Sequence, residues 1–149
     1  MTVEEITNLK LIGENEEDLK VISAYLQDSI AKVKDIVFLK QNRIFIMIVN
    51  RFMWEDAEKD VLRKNKRIKC ALKFEEVIAA RSLNINQRKK NKFLECLAIK
   101  CDLTFKENYK IRIFFSGNSI ITIIAEVIDV SMQDIGKSWN VNSVPTHKI

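Results

Sequence analysis

The residues able to do acid-base, nucleophilic or metal chemistry are few, and their spacing limits what they can do. His147 is the single histidine and lies close to the C-terminus, where a side chain is expected to be solvated. With no second histidine, neither a Ser-His or Cys-His pair nor a histidine-based metal site is expected. Cys70, Cys96 and Cys101 are odd in number and contain no CxxC spacing, so they read as reduced thiols buried as small apolar residues. The glycines at 13, 117 and 136 stand alone, which leaves no Gly-rich loop to cradle a phosphate. Paired-carboxylate chemistry has candidates in Glu55, Asp56, Glu58 and Asp60, but a charge-dense connection of this kind reads as a solvated face. No catalytic residue, metal or cofactor is assigned, and ordinary enzyme chemistry is not expected.

Binding chemistry has more material. Two lysine-rich runs, RKNKRIK at 63–69 and NQRKKNK at 86–92, offer Lys64, Lys66, Arg67, Lys69, Arg88, Lys89 and Lys90 as polyanion contacts. Both runs fall in expected loops and lack the interleaved aromatics that single-strand binding uses. One strand region separates them, so a meander would hold them about 17 Å or more apart. A bend at Glu75 and Glu76 would be needed to fold the second run back. Solvated loops are therefore the preferred reading, with nucleic-acid contact as the alternative. The block NRFMWE at 50–55 mixes Asn50, Arg51 and Trp54, a makeup found at interface hot spots. It equally fits a strand end where the Arg stem packs and its head pairs with an acid. The structural reading is preferred, and Asn50, Arg51 and Trp54 remain the first candidate for a partner surface.

The elements that must position these groups follow from periodicity. Asn15 can cap a helix whose first turn carries Glu16, Glu17 and Asp18, where the helix dipole favours negative charge. Leu19, Ile22, Leu26 and Ile30 then form one apolar stripe, widened by Val21 and Tyr25. After residue 33 the period becomes two. DIVFL and RIFIMIVNRFMW form an expected hairpin around KQNR, with Asn42 as the turn residue. Ile44, Ile46 and Ile48 share one face and Phe45, Met47 and Val49 the other, which predicts a central strand covered on both sides. IKCALKF alternates with Ile68, Cys70, Leu72 and Phe74 inward, and the phase breaks at Glu75 and Glu76. YKIRIFFSGNSIITIIAEVI predicts a hairpin on a Gly117-Asn118 two-residue turn. That register sets Phe115 against Ile120 and Tyr109 against Glu126. Ser131 and Asp134 have capping spacing, which predicts a short C-terminal helix before an irregular tail from about 138.

At 149 residues with 47% hydrophobic and 30% charged side chains, the chain has the makeup of a soluble protein with one core. No apolar run reaches the roughly 20 residues that span a bilayer, and the acidic start MTVEEITN does not look like a secretory signal. Cytoplasm is the expected compartment and no membrane partner is expected. The net charge of +5 speaks to solubility and nonspecific association, not to a specific ligand.

The blocks LKLIGENEEDLKVISAYLQDSI, NRFMWE, LKFEEVIAARSLNI and AEVIDVSMQDIGKSW, with a late PTH, resemble a family of small alphaproteobacterial proteins known as domain of unknown function 2948. The resemblance spans nearly the whole chain, with ISAYLQDS and NRFMWE its most specific parts, and departs in the basic loops. It implies a cytoplasmic single-domain protein and supplies no site residues. The expected fold is α+β: one domain over 1–149, an antiparallel meander bent into a sandwich or half-barrel, and an N-terminal amphipathic helix. The expected function is a non-catalytic binding or scaffolding module. The alternatives are a weak, sequence-independent nucleic-acid binder and a small-ligand carrier or enzyme with a helix-sheet pocket. Partner identity and oligomeric state are not specified.

Overall fold

A computed structural model of the chain describes residues 9–57, 66–104 and 106–141. The elements run β1 (Lys10–Gly13), α1 (Glu16–Leu26), β2 (Ile30–Lys32), β3 (Ile36–Leu39), β4 (Ile44–Phe52), β5 (Lys66–Phe74), β6 (Val77–Leu83), β7 (Phe93–Leu103), β8 (Tyr109–Phe115), β9 (Ser119–Ala125) and β10 (Val130–Asn140). A single helical turn at Trp54–Ala57 follows β4, and 3-10 turns at Val33–Asp35 and Lys40–Asn42 flank β3. The strands pair in the order β1-β10-β5-β4-β2-β7-β8-β9-β6, with β3 on β4. Every pairing is antiparallel. The sheet is open, with β1 and β6 at the ends of its path; the expected meander is corrected, because β1 pairs with β10 and β6 with β9, and the pairing alone makes neither the expected sandwich nor the expected half-barrel.

Helix α1 forms for the expected local reasons. Asn15 Oδ1 accepts from Asp18 N at 2.8 Å, and Asp18 Oδ2 accepts from Glu14 N at 3.0 Å. Leu19, Ile22 and Leu26 are buried, while Val21 is exposed, so the stripe is narrower than expected. The helix lies mainly against β7, where Ile99 N donates to Ser23 Oγ at 2.8 Å. It stops at Leu26. Asp28 takes a left-handed φ of 63°, and Ile30 opens a strand instead of extending the stripe.

Hairpin β3–β4 is where the sequence placed it, with Leu39 opposite Ile44 and Ile36 opposite Met47. Asn42 lies in the 3-10 turn Lys40–Asn42 as expected, and Arg43, at φ 58°, closes it in the left-handed conformation. On β4 Phe45, Met47, Val49, Arg51 and the terminal Phe52 are buried; the Ile44, Ile46 and Ile48 face is half-exposed, so both-sided cover is corrected. Strand β5 buries Ile68, Cys70, Leu72 and Phe74 as expected. The phase break at Glu76 is a real bend, at φ 56°.

Hairpin β8–β9 differs by one residue. Phe115 faces Ser119, so three residues form the loop and both Gly117 and Asn118 are left-handed. A one-residue slip exchanges the faces of a strand. Tyr109 therefore faces Ala125, and Glu126 is exposed and pairs with Arg43 at 2.6 Å. The expected C-terminal helix is replaced by β10, whose Val130, Met132 and Asp134 point inward. Gly136, at φ 80°, sits in the register shift between Ile135 and Trp139. Ordered strand thus extends past residue 138, and the PTH segment with His147 lies outside the described residues. One apolar cluster draws on α1 and on β2 and β4 to β10.

Candidate functional site

Alternation along β4 carries Arg51 onto the buried face, where its stem continues the row of Phe45, Met47 and Val49. Its guanidinium is 0% exposed and needs partners, because a buried charge without compensation is strongly unfavourable. Asp134 on β10 accepts from Nε at 2.7 Å and from Nη2 at 2.6 Å. Glu55, one turn beyond the strand, accepts from Nη1 at 2.9 Å and from Nη2 at 2.7 Å. The Tyr25 ring lies 5.6 Å from the guanidinium carbon. Burial by itself lowers the Arg51 pKa, but the hydrogen bonds and charges of Asp134 and Glu55 outweigh it and raise the value. The group stays charged and ties three chain segments together.

The surface expected from Asn50, Arg51 and Trp54 is therefore corrected at Arg51, which faces inward. Trp54 is half-buried: Nε1 donates to Gln27 O at 3.0 Å, and its ring meets Phe52 edge-on at 4.6 Å. Asn50 faces outward on β4, opposite Lys69. Asn50 lines a hollow of 270 Å³ shared with Lys32, Lys34, Asp35, Lys69 and Phe93.

The basic residues divide by what they touch. Arg67 Nη1 donates to Asn50 O at 3.1 Å and Asp28 O at 3.3 Å. Its partial burial lowers its pKa. It is a structural tie. Lys66 is half-buried beside it, and Lys69 is exposed. Arg88, Lys89 and Lys90 are exposed in the loop between β6 and β7. Lys64 lies outside the described residues. The bend at Glu76 brings the second run back to the turn before β3: Lys34 N donates to Lys90 O at 2.9 Å, and Val33 N to Lys92 O at 3.0 Å.

That return borders a half-open cleft of 740 Å³. One wall is Val33, Lys34, Ile36 and Phe38, from β3 and the turn before it. The other is Ala80, Arg81 and Ser82 of β6 with Ile85, Gln87 and Lys90 of its loop. Buried Phe45 and Ile121 form the floor. The cleft is pinned at both ends, by Val77 N donating to Arg43 O at 2.9 Å and by the Lys34–Lys90 bond. The charged side chains on its lining, Lys34, Arg81 and Lys90, are all positive. The sequence gives only a partial sign of it, the phase break at Glu75 and Glu76, because β3 and β6 are distant in the chain.

Among the described residues no histidine, thiol or carboxylate lines this cleft. Cys70 and Cys96 are buried elsewhere, and burial pushes both thiols up to about 12 from an ordinary value of 9.0. For Cys70 the nearby Asp134 charge adds to the rise. Burial likewise takes Cys101 up to about 11. Below pH 9.0 both the folded and unfolded chains keep these protons. Above it the unfolded chain releases them first, so stability falls as pH rises toward 12. We expect a thermal midpoint that drops over that range. At about pH 8 an alkylating reagent should label the native protein slowly at Cys70 and Cys96 and rapidly in urea. Fast native labelling at either would contradict the burial.

Among the described residues no group of three or more His, Cys, Asp or Glu side chains is placed to hold a metal ion. No helix among them is long and apolar enough to cross a membrane. Fold and site together define an α+β domain, a mostly antiparallel sheet carrying one helix and an apolar-floored, basic-rimmed cleft. The chain belongs to the family described as Protein of unknown function (DUF2948), which matches residues 9–147. Neither a curated protein nor a solved structure matches it.

Proposed function

We propose that this protein is a non-catalytic binding module and that the cleft between β3 and β6 is its binding site. The observation that carries the reading is a half-open cleft with buried Phe45 and Ile121 at its floor and, among the described residues, three cations and no carboxylate or thiol on its lining. A volume of 740 Å³ lies within the range of small-molecule sites.

The reading needs the sheet to curve, as a half-barrel does. From β5 to β6 the pairing order takes six steps, which is about 29 Å in a flat sheet. Glu75 and Glu76 alone connect these two strands, and so short a link reaches roughly 10 Å. Curvature reconciles the two lengths and supports a seam at which β3 faces β6.

A screen of neutral and charged small fragments, followed by amide chemical shifts, tests the assignment. The expected result is hits that cluster on Val33–Phe38 and Ala80–Lys90. Hits confined to another face, or none, would remove the cleft from consideration.

A second reading, sequence-independent nucleic-acid contact, is favoured by the hollow beside Asn50. Phe93 is 61% exposed there, with Lys32 Nζ 5.4 Å from its ring and Lys34 and Lys69 beside it. One stacked base with flanking cations is the minimal arrangement for single-strand contact. Oligothymidylate in the same titration reads it directly, through shifts at Phe93 that vanish with salt.

A further inference from the structure

The nature of the ligand follows from what surrounds the cleft, and this inference rests on the cleft being the binding site. We propose that it takes a small single-chain amphipathic anion, with the apolar body on the floor and the charged head among Lys34, Arg81 and Lys90.

The backbone ties beside the cleft argue for a small molecule over a peptide. The open edges of β3 and β6 resemble a place where an extended chain adds as a strand. Backbone bonds already tie the neighbouring segments together, however, at Val77–Arg43 and at Lys34–Lys90, so an added strand would have to fit between these two ties. A compact ligand has no such requirement.

Charge argues for the sign of the head. Two other half-exposed arginines are compensated by carboxylates: Arg43 pairs with Glu126 at 2.6 Å and Glu76 at 3.7 Å, and Arg112 pairs with Asp102 at 2.8 Å. Lys34, Arg81 and Lys90 have no such partner among the described residues. Lys34 and Lys90 leave from backbone segments bonded to each other, which sets two like charges near one mouth. Like charges held together favour an anion between them.

Apolar lining argues for the tail. Ile36, Phe38, Ala80 and Ile85 are half-buried and reach inward to Phe45 and Ile121. Closing them over a hydrocarbon removes apolar surface from water on both sides. Gln87 Nε2 donates to Ser82 Oγ at 3.1 Å, so these two polar groups of the rim already satisfy one another.

Calorimetric titration of the full chain with decanoate, decan-1-ol and acetate reads the proposal. Decanoate should bind, acetate should not, and the alcohol should bind more weakly. Charge reversal of Lys34, Arg81 and Lys90 to Glu should weaken decanoate by roughly tenfold or more and leave the alcohol unaffected. The cleft itself is tested by Ala80→Trp, with Ser82→Trp from the exposed rim as a second plug should the first not fold. Decanol binding as tightly as decanoate, with no response to charge reversal, would overturn the anion and leave the cleft standing. Decanoate binding unchanged in a folded plugged variant, or absent from the unmodified protein, would overturn the proposal; the plugged result would take the cleft reading with it.

Discussion

Arg51→Ala should lower the thermal midpoint by on the order of 10 °C. Truncation leaves Asp134 on the buried face without its counter-charge, an arrangement that costs about 3–5 kcal/mol, and a domain of this size loses a few degrees per kcal/mol. Glu55 is 23% exposed and can turn to water, so the larger part of the loss belongs to Asp134, which is 2% exposed. Replacing both partners by apolar residues, as in Arg51→Met with Asp134→Leu, should recover much of the stability, because the pair's desolvation is then removed with its attraction. Thermal unfolding by circular dichroism compares the three proteins. A single variant that keeps its midpoint would place the guanidinium in solvent and contradict its burial.

Phe45→Ala carries the second large effect. The ring is 2% exposed and packs on Phe74 with centroids 6.4 Å apart. Removing it costs about 3–5 kcal/mol, from lost transfer energy and from the cavity left behind. Phe45 also forms part of the cleft floor, so the variant deepens the cleft toward the core. Urea titration should show a lower midpoint with an unchanged slope, and Phe45→Leu should lose distinctly less. A loss below about 1 kcal/mol would mean that the floor is open to water and not part of the core.

The two residues also show where sequence reasoning succeeds. Alternation assigned Phe45 and Arg51 to one face of a central strand, and composition named both an Arg-acid pairing and an interface anchor as readings of Arg51. Choosing between them required the acid, and Asp134 is 83 residues away in the chain. Periodicity had read Asp134 as part of a helical cap, since Ser131 and Asp134 have that spacing. Pairing of β10 with both β1 and β5 overrode this local preference, because a strand between two others satisfies its backbone groups on both edges. The β8–β9 register failed for a smaller reason: two left-handed residues fit a loop of two or of three, and local chemistry does not distinguish the lengths.

What the sequence determined by itself was the set of patterns that act over a few residues: the Asn15 cap, the α1 stripe, the β3–β4 hairpin, the inward row of β5 and the bend at Glu76. These depend on backbone sterics and on burial of one face, both local in the chain. Tertiary structure alone decided that Arg51 meets Asp134, that Lys34 meets Lys90, and that β3 and β6 wall a cleft. Those contacts join segments whose separation is set by the path of the whole sheet, and that path follows from the summed packing of one core.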